Sequence, residues 1–163
     1  MPFQMKKQIE DQWCWAAVSM SVDHYFSPSS TLSQCLIARE VLRPRACCAD
    51  PDACNTPARL RDALQAIRRP FEVRRGPLSF DEVRTQIDAQ LPVCVRIGWS
   101  RGGGHFVVIS GYHVSPSGAK FVKVEDPLFP SSIVPYDVLV FSYQNAQDRA
   151  GGGQWTTTFL LGA

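Results

Sequence analysis

Gln8-Ile9-Glu10-Asp11-Gln12-Trp13-Cys14-Trp15-Ala16-Ala17 sets a cysteine between two tryptophans, at the point where a polar run gives way to a helical one. Trp15 to Phe26 carry a largely helical composition, which puts Cys14 in the first turn. There, unpaired backbone N–H groups and the positive end of the helix dipole favour a thiolate. Two readings follow: an exposed, activated nucleophile, or a small buried hydrophobe, the usual state of a free cysteine. The choice rests on what the rest of the chain can bring to the sulfur.

Moving outward, Ser27-Pro28-Ser29-Ser30 ends this first helix, which reads as buried on most sides. Thr31 is placed to cap a second helix over Leu32 to Leu42, ending before Pro44. Arg43 to Asn55 has no periodicity and holds Cys47, Cys48 and Cys54. Thr56-Pro57 supplies an N-cap with proline at the first helical position, predicting a third helix with Leu60, Leu64 and Ile67 as its apolar stripe; Pro70 stops it and Phe71-Glu72-Val73 reads as a short strand. Ser79-Phe80-Asp81-Glu82 is a capping box opening a fourth helix.

From Pro92 the pattern changes. Val93, Val95, Ile97 and Trp99 alternate, and His105 to Val114 and Phe121 to Val124 follow as β-rich runs joined by the turn Ser115-Pro116-Ser117-Gly118. A last strand, Trp155 to Leu161, comes after a bend at Gly151-Gly152-Gly153. Helices first and strands later predict an α+β fold, a helical layer against an antiparallel sheet. At 163 residues the chain is expected to form one domain over 1–163.

Composition narrows the partners. Seventeen basic against fifteen acidic residues give a formal charge of +2, no case for nucleic acid. Arg59, Arg61, Arg68, Arg69, Arg74 and Arg75 read as a solvated face, or as a dock for an acidic partner. No apolar run approaches the roughly 20 residues of a membrane helix. Met1 to Lys7 reads as neither a signal peptide nor an inhibitory pro-segment, as expected for a domain made active or cut from a longer chain.

Of six cysteines, Cys35, Cys47, Cys48 and Cys54 fall close together. Adjacent cysteines seldom bond each other, which leaves Cys35 with Cys47 and Cys48 with Cys54, or the crossed alternative. A zinc site lacks a CxxC knuckle and a nearby histidine, and four reduced thiols in a cytosol are the third reading. No metal or other cofactor is expected. Cys94 reads as a core thiol.

A cysteine nucleophile needs a base, and the chain has three histidines. His24 is ten helical residues from Cys14, about 15 Å, out of reach. His105 follows Arg101-Gly102-Gly103-Gly104 and opens a strand, a rigid edge for an imidazole; His113 is eight residues further, about 26 Å along that strand. The other ring nitrogen needs an acceptor. Asp126, with Pro127 stopping the ladder after it, sits at a strand rim, and Glu125 points to the opposite face as the fallback.

The order Cys14, His105, Asp126 and the surroundings of the cysteine resemble the papain-like cysteine proteases, where a tryptophan follows the nucleophile and a glutamine precedes it by six residues, here Trp15 and Gln8. The resemblance is greatest to the compact bacterial branch of effector proteases, related to the double-glycine peptidases. Trp13 to Ala17, Gly104-His105 and Asp126-Pro127 carry it, with Gln34-Cys35, Cys47-Cys48 and Cys54-Asn55 downstream. It runs from Gln8 to about Asp126, and the spacing to Trp155 suits it. Trp15 stands where the double-glycine peptidases have glycine, against leader-peptide processing, and no Gly-Ser or Gly-Ala pair precedes Cys14, unlike the lysosomal and plant enzymes.

The resemblance implies a papain-like fold with the active site between helical layer and sheet. It implies Cys14 as nucleophile, His105 as base, Asp126 as orienter, and the Gln8 amide with the Cys14 N–H as oxyanion hole. Trp155 or Trp99 is the candidate shield of the His105–Asp126 bond. The implied function is an endopeptidase acting on a protein, a bacterial secreted effector or interbacterial toxin domain delivered to a target cell. It would act as a monomer, with an immunity or inhibitor protein as a further partner. The alternatives are an acyl-transfer enzyme, deamidase or transglutaminase, on the same fold, and a non-enzymatic disulfide-clipped binding domain whose arginines dock a partner.

Overall fold

The computed structural model describes residues 1–43, 46–144 and 152–162. Pro44 and Gly151, which figure in the expected helix end and bend, lie outside them. The fold is α+β. Three helices come first, α1 (Cys14–Phe26), α2 (Gln34–Leu42) and α3 (Leu60–Ala66), followed by strand β1 (Phe71–Arg75) and helix α4 (Phe80–Asp88). Strands β2 (Val93–Trp99), β3 (Gly104–Val114), β4 (Lys120–Glu125) and β5 (Ser132–Pro135), helix α5 (Tyr136–Phe141) and strand β6 (Gly153–Leu161) complete it.

The six strands form one antiparallel sheet in the order β1-β6-β2-β3-β4-β5. β2 to β5 are a meander, and β6 returns to lie between β1 and β2. Side chains alternate across it, and so do the cores. Cys94, Phe106, Val108, Phe159 and Leu161 share one apolar cluster with α1, α2 and α3. Val93, Val95, Val107, Ile109 and Leu160 share the other with Val83 and Ile87 of α4 and Leu139 and Val140 of α5. Helices therefore cover both faces; a single helical layer describes α1 to α3 alone.

α1 is buried from Cys14 through Asp23. Its two flanking tryptophans, Trp13 and Trp15, are fully buried, each contributing roughly 4–6 kcal/mol of gross burial before entropy. The Ser79–Glu82 capping box is formed in both directions. Two helix starts differ from expectation. α2 is capped by Ser33, whose side chain accepts from Leu36 N, rather than by Thr31. α3 begins at Leu60 rather than after Thr56: the Thr56 carbonyl accepts the Trp15 indole N–H and its N–H donates to Cys54 O, so tertiary bonds hold Thr56-Pro57 as loop. β5 and α5 have no counterpart in the sequence reading.

Of the two pairings left open, the crossed one is formed: Cys35–Cys48 and Cys47–Cys54. Cys47 turns into the core beside Cys54, so its neighbour Cys48 faces outward to α2. With all four sulfurs in disulfides, the zinc and reduced-thiol readings do not apply. Cys14 and Cys94 are free.

Candidate active site

Cys14 is the first residue of α1. Trp13 occupies the N-cap position and offers no side-chain cap, so the first-turn N–H groups are left for other partners. The sulfur-bearing residue is 8% exposed, at the edge of the core rather than deep within it. His105 is the second residue of β3 and Asp126 directly follows β4, so neighbouring strands present both at one end of the sheet, and α1 packs against β3.

The structure brings Cys14, His105 and Asp126 together. His105 Nε2 donates to Asp126 Oδ1 at 2.7 Å, with both residues buried. That leaves Nδ1 as the ring nitrogen for the Cys14 side chain, with which His105 also interacts. Burial works against a charged imidazole here. The Asp126 and Cys14 interactions outweigh it and push the His105 pKa up to about 9. Burial likewise opposes ionisation of Asp126, and its bonds from His105, Leu128 N and Tyr143 outweigh that, holding the carboxyl below its usual range. The fallback Glu125 is engaged elsewhere, accepting from Ser110 Oγ and pairing with Lys123.

The two other histidines lie apart. His24 Nε2 is 2.9 Å from Leu32 O, and His113 packs beside Phe121. Of the two tryptophans expected as the shield of the His105–Asp126 bond, Trp99 is the one beside it, its ring stacked on His105 at 5.9 Å between centroids and 17° between planes. Trp155 instead donates its indole N–H to Thr158 Oγ1. Cys94 is wholly buried, which pushes its thiol pKa up and makes it inert.

Gln8 is tied to the same end of the fold, its backbone N–H donating to Pro127 O at 3.0 Å, next to Asp126. Its amide nitrogen donates to Glu10 O at 3.0 Å and Asp11 O at 2.8 Å, while its Oε1 is buried with no partner among the described residues. Beside Gly104 a cleft of about 560 Å³ opens, floored by Leu60, Phe106 and Phe159 and edged by Arg59, Arg61 and Arg96. No group of His, Cys, Asp and Glu among the described residues has the makings of a metal site.

One residue of the site escaped the sequence reading. Tyr143, 1% exposed, donates its hydroxyl to Asp126 Oδ2 at 2.8 Å. It lies 17 residues from that partner, and an aromatic after α5 carries no local signal of the contact.

Residues 1–136 match the family described as papain-like cysteine protease AvrRpt2. No individual curated protein matches the chain. The matched span covers Gln8, Cys14, His105 and Asp126 together with all the strands but β6. The chain belongs to this family and is a papain-like cysteine protease, a hydrolase.

Proposed function

We propose that the protein is an endopeptidase cutting a protein substrate through a thioester acyl-enzyme, with Cys14 as nucleophile, His105 as base and then acid, and Asp126 orienting the imidazole. The observation that carries this is His105, buried with Nε2 on the Asp126 carboxylate and its side chain interacting with that of Cys14. In this reading the papain-like site lies between the α1 layer and the sheet, in a single domain spanning the chain.

His105 Nδ1 takes the Cys14 proton, and the thiolate adds to the scissile carbonyl. The oxyanion forms against the Cys14 N–H and the Gln8 amide, each such donor contributing about 3–4 kcal/mol to the transition state. For Gln8 to take part, one amide N–H exchanges its loop carbonyl for the oxyanion. As the C–N bond breaks, the imidazolium protonates the leaving amine. Water, deprotonated by His105, then attacks the thioester; the new acid leaves and the thiol recovers its proton. The cleft is lined by Gly104 and Phe106, the chain neighbours of His105, and in this reading it takes an extended substrate chain.

The family and the two disulfides support a bacterial effector or toxin domain that passes through an oxidising compartment on its way to a target cell. No helix among the described residues is long and apolar enough to cross a membrane. Monomeric action and an immunity or inhibitor partner belong to the same proposal.

Intact-mass spectrometry after a low excess of a peptidyl epoxide tests the site: one adduct on Cys14, with His105→Ala sharply slower. Equal labelling of both proteins would overturn the assignment. Mapping new N-termini in a target proteome, active protein against Cys14→Ala, then tests proteolysis; deamidated or cross-linked glutamines without new termini would point to acyl transfer.

A further inference from the structure

The His105–Asp126 pair is supported in part from beyond the family match, by Tyr143, and Tyr143 and Trp99 meet at one glycine. Asp126 Oδ1 accepts from His105 Nε2, Leu128 N at 2.7 Å and Phe129 N at 3.1 Å. Its buried second oxygen, Oδ2, accepts the Tyr143 hydroxyl. Tyr143 is in turn fixed by a two-bond bridge to Gly153, Tyr143 N to Gly153 O at 2.8 Å and Gly153 N to Tyr143 O at 2.9 Å. Gly153 opens β6 and pairs with Trp99 at the end of β2.

Gly153 has no room for a side chain. A Cβ there would lie 2.3 Å from Ile97 Cγ2 and 2.7 Å from Trp99 Cε3. The Trp99 ring fills that space while stacking on His105. One backbone position therefore carries the hydroxyl that holds Asp126 and makes way for the indole that covers His105. We propose that Tyr143 and Gly153 are positioning residues of the catalytic pair: Tyr143 fixes the Asp126 carboxylate in its orientation, and Gly153 registers Tyr143 and Trp99 against it.

The chemistry of the second oxygen follows from burial. Without a donor, Oδ2 would be a buried, unpaired carboxylate oxygen, which favours protonation or rotation of the group. The groups facing Asp126 are His105 from β3, Tyr143 after α5, and Cys14 of α1 through the imidazole; Glu125 and Lys123 pair on each other. Burial, and then the Asp126 charge, push the Tyr143 hydroxyl pKa far up, so it stays a donor throughout the working range.

This rests on the Cys14–His105–Asp126 reading, and the test separates the two. Tyr143→Phe removes only the hydroxyl. The acid limb of kcat/KM for peptide hydrolysis should move up by about one pH unit, since losing a charge-assisted bond raises the Asp126 pKa. At neutral pH kcat should fall several-fold with KM unchanged. In an Asp126→Asn background Tyr143→Phe should add nothing, because the hydroxyl acts only through that carboxylate. A wild-type pH profile for Tyr143→Phe, or losses that simply add in the double variant, would overturn the proposal while leaving the triad intact. Full activity of Asp126→Asn would overturn both. Gly153→Ala gives an independent arm: indole fluorescence and kcat should change together in the protein that remains folded, and a folded Gly153→Ala of wild-type kcat would remove Gly153 from the assignment.

Discussion

The indole N–H of Trp13 donates to the carbonyl of Cys54 at 2.8 Å, tying the residue before the nucleophile to a residue of the buried disulfide. Two more donors from the same segment follow it onto the same loop: Gln12 N to Asn55 Oδ1 at 2.9 Å and the Trp15 indole to Thr56 O at 3.2 Å. The segment from Cys54 to Thr56, anchored by the Cys47–Cys54 disulfide, is thus the support on which the start of α1 rests. Removing that disulfide as Cys47→Ala with Cys54→Ala should lower stability by about 2–4 kcal/mol in urea unfolding. The rate of Cys14 alkylation should fall with it. An unchanged urea midpoint together with an unchanged alkylation rate would show that the loop does not hold the nucleophile. Under denaturation without reductant, two thiols should titrate, Cys14 and Cys94.

His105 and Asp126 give opposite pH signatures. The raised pKa of His105 means that its stabilising contribution is complete below the ordinary imidazole value of about 6.5 and is lost as pH rises through about 9. The lowered pKa of Asp126 means that its contribution is present above about 3.9 and is lost as pH falls further. Hydrolysis should decline as pH passes about 9, because a neutral imidazole has no proton for the leaving amine. Alkylation of Cys14 by iodoacetamide, which needs no such proton, should persist there. Asp126→Asn should bring the basic limb of hydrolysis down by about one pH unit or more. A basic limb that stays put in that variant would remove Asp126 as the source of the shift.

Much of this was legible where the determining atoms are close in sequence. The capping box at Ser79 closes within four residues and needs no tertiary information. The choice of His105 followed from reach along a helix and a strand, and the choice of Asp126 over Glu125 from strand alternation. What escaped was decided across the fold. Thr56 is a good cap on composition, but Trp15 claims its carbonyl from α1. Thr31 and Ser33 are equivalent as caps until the chain path places the Ser33 hydroxyl on Leu36 N. The disulfide pairing turned on which of two adjacent cysteines faces the core, and Tyr143 on a bridge to Gly153 that no local pattern records.

Gln8 can be separated from the proton chemistry by choice of reaction. An oxyanion forms when Cys14 attacks an amide, and none forms when it displaces iodide from iodoacetamide. Gln8→Ala should therefore lower kcat for hydrolysis by about 10²–10³ while alkylation of Cys14 stays near the wild-type rate. A parallel fall in both would mean that Gln8 acts through the shape of the loop, where its amide bonds Glu10 O and Asp11 O, rather than on the oxyanion.

Gly104 is a second position where the absence of a side chain sets the imidazole. A Cβ there would lie 2.6 Å from Arg96 Nη2 and 2.9 Å from Ile97 O. The Arg96 guanidinium donates to Gly103 O at 3.2 Å and Thr156 Oγ1 at 3.0 Å, so it is laid across the turn that leads into His105. The arginine end can swing away; the carbonyl cannot, since Ile97 pairs with His105 in the β2–β3 register. Gly104→Ala should thus spread the strands at His105, lowering stability by about 1–3 kcal/mol and kcat by a larger factor than KM changes. Adding Arg96→Ala relieves only the flexible half of the clash and should restore little of the activity. Full recovery in that double variant would assign the whole effect to the arginine and leave the β2–β3 spacing without a role in placing the base.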